Sequence, residues 1–227
     1  MQQLKRFLPT VVVSLCAAIL ACQPSIAQEP PPLRWGADAE GGAPYIFKDP
    51  EDPRRNIGLE VDLAAALATE LGRPVNFRQY NYESLLSGLA RGDLDFAMNG
   101  IESTPDRQAR YRLSRPYYTC RLQLVTRADE KRFDSLETCR QADGVVGTLN
   151  DTGSSRLLDQ RQIKSKIYDG QAEPYQDLAL GRIDAVLVDE PIAVYYARNN
   201  RLLKFAGEPF HEGHYVIAFR KDQQELA

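Results

Sequence analysis

Hydrophobic positions along the chain recur with two alternating periods. Leu33-Arg34-Trp35-Gly36-Ala37 reads as a strand ending at Asp38, and a Gly- and Pro-rich loop follows to Gly58. From Leu59 to Leu71 the spacing changes: Leu63, Leu67 and Leu71 recur every fourth residue beside Ala64 and Ala68, which predicts a helix face. Gly72 and Pro74 stop that helix in the usual order. Val75 and Phe77 alternate with polar neighbours in a strand to Tyr80, Tyr82–Ala90 is a second helix, and Leu94–Met98 is a third strand. The βαβαβ order implies an α/β class with a largely parallel sheet flanked by helices.

A second unit begins after Tyr117. Strands are expected at Leu122–Thr126, Val145–Thr148, Ala185–Val188 and His214–Arg220, with helices at Ser154–Gln160 and Pro174–Leu180. The run Leu89–Gly100 overlays Leu178–Asp189 at constant offset: helix end, Gly, turn Asp, apolar strand, polar strand end. That echo predicts two halves on one plan, since the short apolar run after each Gly suits a buried strand.

Composition narrows the class. With 227 residues, 43% hydrophobic and four cysteines, the chain is neither disordered nor a disulfide-dense miniprotein, and it is long enough for real cores. A net charge of −3 leaves no basic footprint for nucleic acid. Residues 1–27 read as an export signal: Lys5 and Arg6, an apolar run Val11–Cys22 too short to span a bilayer, then Ser25-Ile26-Ala27. Ile19-Leu20-Ala21-Cys22 also resembles a lipobox, which offers Cys22 as a lipid anchor. Cleavage after Ala27 removes two basic side chains and no acid, leaving 26 basic against 31 acidic. Export places the chain in an oxidising compartment, where Cys120 and Cys139 are candidates for a disulfide staple whose geometry spacing alone leaves open. His211 and His214 fall in a Gly- and Pro-flanked stretch read as a solvated loop, and no metal-ligand set is visible.

Eight short motifs in order carry a resemblance. They are Asp38, Pro44-Tyr45-Ile46-Phe47, Gly58-Leu59-Glu60-Val61-Asp62-Leu63, Tyr82 before a Leu-rich helix, Gly92 to Asp95, Gly100 to Arg107, Ser114 to Tyr118, and the later pair Val146–Ser154 with Gly181–Pro191. Over Leu33 to about Asp222 the chain resembles the periplasmic amino-acid-binding proteins of ABC importers, solute-binding protein family 3. The resemblance implies a two-lobe periplasmic-binding-protein fold of type II kind with two crossover hinge strands. Crossings are expected near Tyr117–Arg121 and Lys204–Pro209, lobe 1 over 33–118 plus 208–227, and lobe 2 over 119–207. It also implies a small-molecule ligand, an amino acid, held between the lobes of a monomer that docks on a membrane permease, with no cofactor and no catalysis.

The residues give that site a chemical sense. Thr104-Pro105-Asp106-Arg107 opens a helix with Thr as N-cap and Pro in its first turn, and helix starts suit a carboxylate. Arg107 adds a planar guanidinium able to grip both carboxylate oxygens. Across the cleft, Thr152 and the N–H of Gly153 begin a second helix able to close on the same group. Asp189 and Asp38 end buried strands at the carboxyl edge, where α/β proteins place ligands. By correspondence with the family, Arg107 and Asp189 anchor the two ends of a zwitterion, Tyr82 packs on the ligand side chain, and Asn99 and Gly100 line the site.

At several positions the chain departs from the family pattern. Glu40-Gly41-Gly42-Ala43 replaces an aromatic wall, Glu102 stands where relatives often carry Thr, and Leu149 and Val188 offer no polar handle. Glu102 is expected to pair with Arg107 or a ligand cation, or to point away. The chain stops at Glu225-Leu226-Ala227 where relatives continue, and the resemblance leads one to expect either a fragment or the exported front of a longer polypeptide, for example one fused to a permease. Two rival readings stand beside the receptor. One is a sensory module of a larger receptor. The other is a cyclohexadienyl dehydratase-like enzyme using Glu102 as general acid.

Overall fold

A computed structural model describes residues 30–40 and 42–223. The export-signal and lipid-anchor expectations for residues 1–27 and Cys22 lie outside them, as does the chain end at 224–227. The first half contains β1 (Leu33–Ala37), the small pair β2 (Phe47–Lys48) and β3 (Asn56–Ile57), α1 (Leu59–Leu71), β4 (Val75–Gln79) and α2 (Tyr82–Arg91). It continues through β5 (Phe96–Ala97), α3 (Pro105–Arg110) and β6 (Arg112–Leu113). The second half contains β7 (Tyr118–Arg127), α4 (Leu136–Gln141), β8 (Val146–Leu149), α5 (Gly153–Gln160), β9 (Ser165–Tyr168) and α6 (Glu173–Ala179). Then come β10 (Ala185–Asp189), α7 (Glu190–Ala197), β11 (Leu203–Tyr215) and β12 (Ala218–Phe219).

Two five-stranded sheets form, in the orders β4-β1-β5-β12-β6 and β11-β7-β10-β8-β9. In each, three consecutive strands of a βαβαβ run are placed with the first in the middle: β1 lies between β4 and β5, and β8 between β9 and β10, all parallel. An antiparallel strand then flanks the third, β12 on β5 and β7 on β10. The internal echo therefore corresponds to a shared topology. Its turn acids do the same work twice. Asp95 accepts the Arg34 N–H at 2.7 Å and Asp184 the Val145 N–H at 2.9 Å, and each returns its own N–H to the same residue's carbonyl.

Packing follows the alternation in β1. Leu33, Trp35 and Ala37 face the α1 side with Ile46, Phe96 and Met98, while Leu85, Leu89 and Leu94 fill the α2 side. Gly36 points toward that second layer, where a Cβ would collide with the Leu85 and Leu94 methyls. α1 and α2 both end at left-handed glycines, Gly72 and Gly92. The α1 face is rotated from the expected one: Ala64 is buried and Leu63 and Leu67 partly so, but Leu71 is exposed. Glu60 goes inside instead.

Glu60 is fully buried; its Oε1 accepts the Gly100 N–H at 2.7 Å and the Tyr117 hydroxyl at 2.5 Å, while Oε2 has no partner. Burial pushes its carboxyl up to about 7, against the pull of those two hydrogen bonds. A carboxyl raised above its unfolded value gives stability that is present below about pH 4.5 and lost as pH rises through 7. Thermal unfolding should therefore start lower at pH 8 than at pH 5, and Glu60→Gln should flatten that fall. An unchanged slope in the variant would move the titration to another group.

β7 and β11 form one long antiparallel ladder, from Leu203↔Arg127 to Tyr215↔Tyr118, with irregularities between Ala206 and Phe210 and between Phe210 and Gly213. Lys204–Pro209, where the resemblance puts a crossing, lies along this ladder. The chain enters the first sheet at β12, which begins three residues after Tyr215. His211 and His214 are exposed residues of β11, not of a loop. The open question of a disulfide resolves against one: Cys120 and Cys139 are separate buried thiols in different core clusters.

Candidate functional site

The carboxyl ends of the parallel strands meet around one cavity of about 460 Å³, counted with its opening to solvent. β1 delivers Asp38, β5 delivers Asn99 and Gly100, and α2 begins with Tyr82 at the rim. From the other side come Leu149 at the end of β8, Thr152 at the start of α5, Asp169 and Gln171 after β9, and Asp189 at the end of β10. Tyr45, Tyr215 and Ile192 complete the floor. Six of the nine residues expected at the site thus share this cavity. Glu102, Arg107 and Gly153 do not line it.

Local chemistry explains each placement. Asp38 is a clamp: its carboxylate accepts N–H groups from Glu40, the Gln79 side chain and Tyr82 at 3.0, 2.9 and 3.2 Å. Its own N–H goes to Asn99 Oδ1 at 2.6 Å. Thr152 caps α5, accepting the Ser155 N–H at 3.2 Å and donating its hydroxyl to the Leu149 carbonyl at 2.8 Å. That donor is therefore already used. Asp189 stands at the N-cap position of α7 but makes no cap bond there. Its carboxylate accepts the Tyr215 hydroxyl, and Tyr215 in turn accepts one from Tyr45 at 3.3 Å. Burial, then the nearby Glu102 carboxylate, push Asp189 up to about 7, opposed by the Tyr215 hydrogen bond and Arg156. Burial likewise raises the Tyr82 phenol to about 12, while the Arg107 guanidinium beside it pulls the other way.

Behind the cavity, four charged groups alternate. Thr104 caps α3 as expected, which sets Arg107 at 5% exposure. Its Nη1 donates to the Glu102 carbonyl at 3.1 Å, and its Nη2 to the Asp151 carbonyl and carboxylate at 3.1 and 3.0 Å. Arg156 of α5 sits within 3.5 Å of the same Asp151 carboxylate and donates to the carboxylate of Glu102. Glu102 does find an arginine, but through its carboxylate it is Arg156. The Glu102 carboxylate also lies against Gly153, where any Cβ would strike it. Asn150 adds a further link across the cleft, to Glu83 at 2.8 Å.

A trio that spacing could not reveal, Glu102, Cys120 and Asp189, brings one ligand atom each within 4.8 Å of the others. As a metal site it is poorly prepared. Burial pushes the Cys120 thiol up to about 12, so it stays protonated at neutral pH, and both carboxylates already accept protein donors. Sequence reasoning also passed over Tyr45, Asp151, Arg156, Asp169, Gln171 and Tyr215. Asp151 had a signal, since it falls inside the motif Val146–Ser154 and directly precedes Thr152; Asp169 and Gln171 follow a strand that the alternation did not disclose.

The family description "bacterial extracellular solute-binding proteins, family 3" matches residues 33–227. The chain belongs to that family. Among relatives of this solute-binding protein, the L-cystine-binding protein TcyJ of Escherichia coli (strain K12) is 27% identical over 185 residues, 81% of this chain and 69% of that one. The arginine-binding periplasmic protein of Mannheimia haemolytica is 26% identical over 171 residues, 74% of this chain and 69% of that one. A solved structure of an ancestral arginine-binding protein bound to glutamine superposes with TM-score 0.79 at 30% identity, covering 88% of each chain. Family and α/β fold thus stand as the motif order implied, and the chain is a substrate-binding receptor. No helix among the described residues is long and apolar enough to cross a membrane.

Proposed function

We propose that this receptor captures a small cationic amino acid outside the cytoplasm and delivers it to the membrane permease of an ABC importer. One observation carries the reading: Asp38, Asp169 and Asp189 line the cavity, an adjoining pocket that shares Asp38 and Asp169 with it adds Glu40 and Glu83, and no lining residue of either is Lys or Arg. Acids of one sign in a concave site concentrate and steer cations. Asp189 then takes an ammonium or guanidinium deep in the cleft, and Tyr82 packs beside the solute's alkyl stem. Relatives named for arginine support this class.

Closure is a hinge motion at the end of the β7–β11 ladder, near Tyr117 and Val216, stabilised by solute contacts from both sides. In this reading lobe 1 takes 33–117 and the chain from Val216 onward and lobe 2 takes 118–215, because Phe210–Tyr215, expected in lobe 1, pair with β7 of the second sheet; the receptor acts as an exported, periplasmic monomer without catalysis.

A thermal-shift screen of the twenty amino acids tests the function. At about a hundred times Kd, a solute bound only by the folded state adds about 2.7 kcal/mol, a rise of roughly 5–10 °C for a chain of this size. L-arginine or L-lysine should give that rise. A screen answered only by acidic amino acids, or by none, contradicts the proposal.

A further inference from the structure

We infer that this receptor reads its solute's positive charge and leaves an α-carboxylate unread, because the chain's own Asp151 carboxylate holds the guanidinium of Arg107. The inference rests on the cationic-solute reading above and sharpens its substrate class to amines with or without a carboxylate.

Three observations support it. First, Arg107 is the cation expected to grip a carboxylate, yet it does not line the cavity, and both terminal nitrogens donate within the protein. Asp151 reaches it from the facing turn, with a side chain 57% exposed against 6% for Arg107. The backbone there has φ 53°, the left-handed region that is costly for most side chains and tolerated by Asp and Asn.

Second, the alternating set Arg107, Asp151, Arg156 and Glu102 is neutral by itself. A solute carboxylate would have to displace a tethered one, whose effective concentration is high. At the start of α5 it would also meet the Glu102 carboxylate against Gly153.

Third, the cavity's remaining needs are for donors. Gln171 lines it at 7% exposure with Oε1 unpartnered, and buried acceptors left without a donor are costly. An N–H of an ammonium or guanidinium supplies what Gln171, Asp169 and Asp189 lack; a carboxylate supplies none of it.

Agmatine and L-arginine share a guanidinium and a four-carbon stem, and differ at the α-carboxylate. Isothermal titration of the mature protein at pH 7.5 should find agmatine at least as tight as L-arginine. Asp151→Gly, which suits the left-handed backbone, should shift the affinity ratio toward L-arginine by at least tenfold. Asp151→Asn, should the first variant fold poorly, should shift it the same way. L-arginine binding more than threefold tighter than agmatine to the wild type overturns the inference and leaves a receptor for cationic amino acids. So does an unshifted ratio in both folded variants. If neither cation binds while a neutral or acidic amino acid does, the cationic reading falls with it; if no amino acid binds, the amino-acid reading falls.

Discussion

Asp189→Asn is expected to weaken binding of a cationic solute about a hundredfold and to remove most of the pH dependence of that binding. The magnitude follows from truncating one partner of a buried, hydrogen-bonded charge pair, typically about 2–5 kcal/mol. The sign of the pH effect follows from the raised carboxyl. Asp189 is faced by Tyr215 and Tyr45, by Glu102 and Cys120, and by Arg156, and it titrates near 7. Below that pH it is protonated and must lose its proton to hold a cation. Affinity therefore rises by up to about tenfold per pH unit between pH 5 and 7 and levels off above. Titrations in buffers of different ionisation enthalpy should register proton release on binding at pH 6.5. Affinity that is flat from pH 5.5 to 8 in the wild type would remove Asp189 from the site.

Tyr215→Ala is expected to cost about 3–5 kcal/mol of folding stability, the range for deleting a large buried aromatic. Tyr215 is fully buried where the two sheets meet, with its ring 5.3, 6.2 and 5.8 Å from those of Tyr45, Tyr117 and Tyr118. Denaturant unfolding measures the loss. Tyr215→Phe keeps the packing and removes the hydroxyl from Asp189, so it should retain most of the stability while raising the Asp189 titration further. A Tyr215→Ala loss below 1 kcal/mol would mean that the junction is held elsewhere.

The legible parts of this molecule are those where local physics and tertiary structure agree. Alternation in Leu33–Ala37, the fourfold spacing before Gly72, and the glycines that close α1 and α2 all act within a few residues, and each element forms. The echo of Leu89–Gly100 in Leu178–Asp189 was readable because both copies solve the same problem, a helix handing over to a buried strand. Elements without that agreement were passed over. β9 (SKIY) has three of four residues exposed, α7 begins directly on Asp189 with Glu190-Pro191, and most of β11 alternates irregularly around its bulges. At the site, strand-end residues such as Asp38, Asn99 and Asp189 could be placed from topology. The Arg107–Asp151–Arg156–Glu102 set could not, because pairing across a cleft depends on side-chain reach between segments about fifty residues apart.

If the acid-lined cleft between two matching α/β halves selects positive charge, one pair of solutes will show it. L-lysine and L-norleucine have the same backbone and nearly the same stem, and differ by one terminal ammonium. Calorimetric titration of both into the mature protein at pH 7.5 isolates that charge. L-lysine should bind at least a hundredfold tighter; equal affinities, or a preference for norleucine, would mean that the cleft does not select charge.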